Sequence, residues 1–362
     1  MHSSRGKRDL LNEEPRKVLI FLHHGLGDLI CALPSLRALD EVLNSRDKVL
    51  VVVKSRNEGG VLDAVEWHGR ITWLALGGNH YRSRVWLNLK TICSLIRFGP
   101  RYVIYAHAAS TRLSSWLALL FPFATHALPG TSERRARRRN YVTQTHGEHK
   151  VSYYCRFLEA SGLVEKGLAP TFPRLRYGPV EQKTSGSHLR IAIAPGVGTP
   201  SEQHKAWPPE HYAELVNLLK AQEASLEIVL TGAPAERALL EQIRDMTEHG
   251  ACSRVQIVTP PTPAEASTFM KTVGCVVSSC SGAGHLAALA GTPVVGIFGP
   301  TSYAWTGPFT PALVPVVSRV PCAPCYRRGH ESGCDEPTCM RIITPTSVSA
   351  AVRSVFALQA GN

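Results

Sequence analysis

Residues 276–308 read VVSSCSGAGHLAALAGTPVVGIFGPTSYAWTGP, and the order of features in this stretch decides the fold. Val276 and Val277 close a short β-branched run. Ser278 to Gly284 carries almost no side-chain bulk. His285 opens an Ala/Leu helix, Gly291-Thr292-Pro293 stops it, and Val294 to Phe298 forms the next buried strand. Small residues before a helix start let backbone N–H groups approach a ligand, and the helix N-terminus favours an anion. Open α/β sheets hold phosphates this way, at the carboxyl ends of strands. An ordinary βα turn has the same composition, so Ser281, Gly282 and His285 alone leave both readings open.

The same alternation extends outward in both directions. Upstream, strands are expected at Ile191–Ala194, Leu226–Thr231, Val255–Val258 and Cys275–Val277. Helices fit between them, at 209–221, 235–248 and 263–272. Earlier still, Lys17–His23 (KVLIFLH) reads as a buried strand that ends at His24-Gly25-Leu26-Gly27-Asp28. A helix follows, with Leu29, Ile30, Leu33, Leu36 and Leu39 on one face. Pro34 either kinks that helix or marks its first turn. Further strands are expected at Lys48–Val53, Ile71–Leu74 and Tyr102–Tyr105. Helices are expected around 87–96 and 114–120, and at Val151–Ser161. Strands alternating with helices predict parallel sheets covered on both faces. Pro173–Ser187 is polar and aperiodic, and reads as a linker. The expectation is two doubly wound, Rossmann-like halves of a GT-B-like α/β fold, facing across a cleft that holds the site. Residues 1–15 form a polar lead-in, 16–178 the first half, 179–345 the second, and 346–362 a terminal helix. A dinucleotide enzyme fits less well, because Gly25-Leu26-Gly27-Asp28-Leu29-Ile30 lacks the G-x-G-x-x-G pattern.

The chain has 362 residues, 44% of them hydrophobic, and a formal net charge of +12. That balance points to an anionic partner. Arg134, Arg135, Arg137, Arg138 and Arg139 concentrate the charge, either as a solvated loop or as a patch facing phosphates or a membrane. Aromatic residues make up only 7% of the chain and are not interleaved with this run, which argues against nucleic acid. No apolar leader follows the first basic residues, so a cytoplasmic protein is expected. The longest apolar stretch, Trp116–Leu128, falls short of the roughly 20 residues that span a bilayer.

Several residues are candidates for chemistry. Asp28, at the end of the first strand, is either a helix N-cap or a functional carboxylate. Pro195 and Gly196 follow the first strand of the second half, ahead of His204-Lys205-Ala206-Trp207-Pro208. Lys205 is either a surface lysine or an anchor for a diphosphate. Thr231 and Gly232 end the next strand. Glu236 either suits the first turn of a helix or accepts from hydroxyl groups. His285 is a phosphate donor or a structural histidine. Ten cysteines in a leaderless chain argue against a disulfide framework. Six are scattered in apolar context. Cys322, Cys325, Cys334 and Cys339 have C-x2-C-x8-C-x4-C spacing, with His330 among them. They could hold a structural Zn or Fe, pack as reduced thiols, or form a disulfide.

The chain resembles glycosyltransferase family 9, the lipopolysaccharide heptosyltransferases. The resemblance rests on Ser281-Gly282, His285-Leu286-Ala287-Ala288, Phe298-Gly299-Pro300-Thr301 and Gly307-Pro308. In the first half it rests on Gly27-Asp28 and on Leu33-Pro34-Ser35-Leu36-Arg37-Ala38-Leu39. Cys280 stands where the family pattern has Asp. The resemblance implies an ADP-heptose donor, a phosphorylated lipopolysaccharide-core glycolipid acceptor, and inversion at the anomeric carbon. It implies Asp28 as general base in an acceptor-side first half. The donor site in the second half would include Pro195, Gly196, Lys205, Thr231, Gly232, Glu236, Ser281, Gly282 and His285. No catalytic cofactor is implied, and peripheral contact with the cytoplasmic face of the inner membrane is compatible with it. A nucleotide-sugar 2-epimerase of the same architecture and a basic Cys-rich nucleic-acid-binding protein are the alternatives.

Overall fold

Continuous β-branched runs such as Lys48–Val53 (KVLVVV) are buried almost throughout, the pattern of a strand covered on both faces. The computed structural model describes residues 14–23, 25–68, 70–76, 89–106, 111–130, 139–145, 147–167, 169–176, 190–248, 255–325, 334 and 336–360. The strands are β1 Lys17–Leu22, β2 Lys48–Val53, β3 Ile71–Ala75, β4 Tyr102–Tyr105, β5 Thr125–Pro129, β6 Arg139–Val142, β7 Arg190–Ala194, β8 Glu227–Thr231, β9 Val255–Val258, β10 Cys275–Ser279, β11 Val294–Phe298 and β12 Leu313–Val317. The first six form one sheet in the order β3-β2-β1-β4-β5-β6, and the last six another, β12-β11-β10-β7-β8-β9. Every pairing is parallel, for example Val18↔Val49 and Val18↔Tyr102 in the first sheet and Val276↔Ala192 in the second. Counted within its own half, each sheet has the doubly wound order 3-2-1-4-5-6. The GT-B-like α/β expectation is met.

The helices are α1 Leu26–Val42, α2 Arg56–Asp63, α3 Leu89–Phe98, α4 Thr111–Leu120, α5 Lys150–Ser161, α6 Pro209–Gln222, α7 Arg237–Asp245, α8 Pro263–Met270, α9 Gly282–Leu289, α10 Tyr303–Thr306, α11 Thr338–Arg341 and α12 Pro345–Ala360. Pro34 lies inside α1, where it leaves the Ile30 carbonyl without its helical donor. Leu95, Leu117 and Phe121 pack with Leu19 and Phe21 of β1 on one face of the first sheet. Val18, Ile20 and Leu22 face the other way, into a cluster with α1, α2 and α5. That cluster continues into the second half through Met270, Val276, Leu286, Ala287 and Leu289. The two halves thus share apolar packing, with α1 against α9 and α2 against α8.

The start of the expected linker is not free chain. Val65 and Leu175 form an antiparallel bridge, and Glu66 N donates to Arg174 O and Arg176 N to Ala64 O. These bonds tie 174–176 to the first half. Residues 177–189 lie outside the described set, as does the lead-in before Glu14.

Candidate active site

The two halves meet where two helices begin side by side. Gly25 is the N-cap of α1 and Ser281 that of α9. These helices follow β1 and β10, each at the point where the strand order of its sheet reverses. Glycine makes the approach possible. A methyl group at position 27 would sit 2.9 Å from His285 Cδ2, and one at 282 would sit 3.2 Å from Leu26 Cδ2. His285 is 6% exposed, and its Nδ1 lies 3.6 Å from Cys31 Sγ. Its pKa is lowered to about 3, mainly by burial, then by the neighbouring Lys150 cation and by His149. Asp28 and a hydrogen bond to the Thr306 backbone act the other way but do not win. The ring is neutral at neutral pH, so it offers hydrogen bonds rather than charge.

Asp28 is not the N-cap. It is the third residue of α1, and its N–H donates to Gly25 O at 3.1 Å. Its carboxylate faces α5. Lys150 Nζ donates to Asp28 Oδ1 at 2.5 Å and Tyr154 Oη at 3.1 Å. Both partners come from one face of α5, four residues apart. The Lys150 and Asp28 side chains are 20% and 23% exposed, so the pair is shielded but reachable. Next to Lys150, His149 caps α5, with Nδ1 accepting from Val151 N at 3.2 Å. Its Nε2 donates to Gly307 O of the second half at 3.0 Å. Lys150, Tyr154 and His149 were absent from the sequence candidates; the four-residue Lys–Tyr spacing on an amphipathic helix was their only signal.

The second half gathers most of its candidates at the carboxyl ends of β7, β8 and β10. The Glu236 carboxylate lies over two glycines. A methyl group at 196 would overlap Glu236 Oε1, and one at 232 would fall 2.7 Å from Oε2. Ala233 N donates to Oε2 at 2.8 Å. Pro195, Gly196, Thr231, Gly232 and Glu236 therefore form one small cradle. Lys205 closes the 3-10 turn Pro200–Lys205, is 9% exposed, and is ion-paired with Glu202. Trp207 anchors this loop, with Nε1 donating to Ile343 O at 2.9 Å and its ring 4.8 Å from that of Tyr212. Ser281 Oγ lies 3.0 Å from Ser278 Oγ. Cys280, in the position of the family Asp, lies 3.7 Å from Thr306 Oγ1.

Two groups of candidates stand apart. Arg134, Arg135, Arg137 and Arg138 lie outside the described residues, and Arg139 begins β6. None of Cys322, Cys325, Cys334 and Cys339 is disulfide-bonded. The Cys339 thiol is pushed up to about 11, first by burial and then by the other three, so the four are neighbours. Among the described residues, no three His, Cys, Asp or Glu side chains are placed to hold a metal ion, and His330 lies outside them. Cys339 packs as a buried residue on Gly299, where an added methyl group would sit 2.9 Å from its Sγ.

The chain is similar to several known proteins. It is 22% identical over 323 residues to the lipopolysaccharide core heptosyltransferase OpsX of Haemophilus influenzae, covering 83% of this chain and 84% of that one. It is 29% identical over 136 residues to lipooligosaccharide heptosyltransferase 2 of Haemophilus ducreyi, where the match spans 37% of this chain and only 38% of the relative. Its fold matches that of the ADP-heptose lipopolysaccharide heptosyltransferase II of E. coli with a TM-score of 0.68 at 16% identity, covering 95% and 99% of the two chains. The model of glycosyltransferase family 9 (heptosyltransferase) matches residues 117–334. That span holds β7 to β12 with Glu236, Lys205 and His285, and on this match the chain belongs to glycosyltransferase family 9.

Proposed function

We propose that this glycosyltransferase moves heptose from ADP-heptose to a hydroxyl of a phosphorylated lipopolysaccharide-core acceptor, with inversion. The observation that carries the reading is the placement of Asp28. It stands at the carboxyl end of β1, beside the start of α9 and near enough for its charge to act on the His285 ring. The names of the E. coli and H. influenzae relatives support the donor and the acceptor class.

In this reading the first half presents the acceptor and the second holds the donor. Asp28 takes the proton of the acceptor hydroxyl. The oxygen attacks the anomeric carbon from the face opposite the diphosphate, the carbon–oxygen bond to the diphosphate breaks, and ADP leaves. Lys150 and Tyr154 fix the carboxylate's direction. The N–H groups at the start of α9, beside Ser281 and Gly282, meet the developing diphosphate charge. Lys205 exchanges Glu202 for the diphosphate as a point charge. Glu236, steadied by Ala233 N–H, accepts from ribose hydroxyls. His285 donates as a neutral imidazole or sets the distance between the halves. The reaction belongs on the cytoplasmic side, where nucleotide sugars are made.

A thermal-shift panel with ADP, UDP, GDP and CDP tests the donor assignment. A nucleotide at 100 times its Kd stabilises by about 2.7 kcal/mol. A selective response to ADP is expected. Selectivity for another base, or no response to any, overturns the assignment.

A further inference from the structure

The positive charge of this chain is segregated. From Trp67 to Ser132 there is no Asp or Glu, and there are seven Lys or Arg. Extended to Asn140, the segment holds twelve Lys or Arg and one acidic residue, Glu133, which accounts for nearly all of the net +12. The segment contributes β3 to β5 and the helices α3 and α4.

Those two helices cover the outer face of the first sheet. They bury Leu95 and Leu117 against it, in one cluster with Phe121 just after α4. Their other sides turn to solvent with an unusual composition. Trp116 is 70% exposed, Leu119 is 74%, Phe123 is 84%, and Ile96 on α3 is 53%. Trp116 and Leu119 are three residues apart on α4 and share one face, and Phe123 lies in the turn that follows the helix. Lys90 and Arg97 are exposed on α3, and neither α3 nor α4 contains an acidic residue. At the far end of the helices a groove of about 890 Å3 opens, with Arg16, Arg101 and Phe123 in its wall.

We propose that this face, Ile96, Trp116, Leu119 and Phe123 with Lys90 and Arg97, docks on the surface of an anionic lipid bilayer. The proposal deepens the preceding reading, because it supplies the means by which the enzyme meets a glycolipid acceptor. Bulky apolar side chains beside Lys90 and Arg97, on two helices without an acidic residue, match the acyl–headgroup boundary of a charged leaflet; Glu14, in the groove wall beyond Phe123, is ion-paired with Arg101. Tryptophan in particular suits that boundary. Among the described residues no helix is long and apolar enough to cross a membrane, so the contact is peripheral. The face lies on the opposite side of the first sheet from α1 and α5, which meet the second half. Docking therefore leaves the junction of the halves uncovered. A second copy of the chain is a poorer occupant, since pairing two such faces opposes like charge. A nucleic acid would use the cations but gains nothing from Ile96 and Leu119.

Co-sedimentation of the full chain with vesicles tests this. Phosphatidylcholine alone is compared with equal parts phosphatidylcholine and phosphatidylglycerol. Binding to the anionic vesicles only, weakening as NaCl is raised, is expected. A variant carrying Trp116→Ser, Leu119→Ser and Phe123→Ser should bind them at least about tenfold more weakly with an unchanged melting temperature. Its shift with ADP should also be unchanged. Equal vesicle binding by the variant, or none by the parent chain, overturns the proposal. So does a concentration-dependent dimer that the triple variant abolishes, or salt-sensitive RNA binding in place of vesicle binding. Vesicle binding without any ADP response would instead refute the donor assignment and leave the docking face standing.

Discussion

Lys150 Nζ lies 2.5 Å from Asp28 Oδ1, joining the first turns of two helices that both begin at the junction of the halves. A cation this close holds a carboxylate in its ionised form. Lys150→Met should therefore raise the acidic limb of the pH–rate profile by about one unit or more. The rate at neutral pH should fall about tenfold while the response to ADP stays intact. Tyr154→Phe removes a weaker neutral bond and should have a smaller effect in the same direction. A rate loss with no movement of the acidic limb would mean that Lys150 acts on the acceptor rather than through Asp28.

The contact between Gly27 and His285 sets how closely the halves approach. Gly27→Ala drives a methyl group to 2.9 Å from a buried ring. A loss of about 1–3 kcal/mol is expected, as for other overpacked sites. Gly282→Ala meets Leu26 less closely, with Cδ2 at 3.2 Å and Cβ at 3.4 Å, and should cost less. Urea melts of the two variants side by side check the order.

Gly196→Ala offers a cleaner probe of the donor side. The added methyl group would overlap the Glu236 carboxylate, so the carboxylate must leave its cradle. The ADP affinity should fall about tenfold, equivalent to about 1.4 kcal/mol, and Glu236→Gln should approach the same loss. Titration calorimetry with ADP reads both. If Gly196→Ala weakens ADP and Glu236→Gln does not, the carboxylate is structural.

Two buried histidines make stability depend on pH. Burial lowers His285 from 6.5 to about 3 and His23 from 6.5 to about 4. Between those values and 6.5 the unfolded chain binds more protons than the folded one. Stability is thus fully present above pH 6.5 and is lost as the pH falls toward 4 and 3. Each group contributes a slope of up to about 1.4 kcal/mol per pH unit in that window. His285→Asn should remove part of that slope, whatever it does to the absolute stability. An unchanged slope between pH 6.5 and 5 would show that the ring is charged or solvated in the folded chain.

Much of this was legible in the sequence because the signals were local. The β-branched runs at β1, β2, β7 and β8 and the small-residue turn before His285 each state their element within a few residues. Elements with weak local signals were missed. Arg56–Asp63 carries Gly59 and Gly60 yet is helical, held by the Ser55–Glu58 bonds at its start. The sheet-edge strand β12 contains Pro315 and is only half-buried. β6 begins at the last arginine of the run. The site divides the same way. Gly196, Gly232 and Glu236 were read from strand ends, and their convergence follows from adjacent parallel strands. The partners of Asp28 were not read, because Lys150 and Tyr154 lie more than a hundred residues downstream and reach it only through the packing of α5 on α1. The four-cysteine candidate was read from spacing and from the family resemblance, and spacing does not fix how close four thiols come.

The most direct test is Asp28→Asn, assayed for transfer from ADP-heptose to a deacylated inner-core acceptor, with the ADP thermal shift read on the same preparation. The parent chain should release ADP only when acceptor is present. The variant should lose about 10²–10⁴-fold in rate, the range for a missing general base, and keep the full ADP shift. Transfer at near-parental rate by the variant, or loss of transfer and ADP binding together, would contradict the assignment of Asp28 as the base.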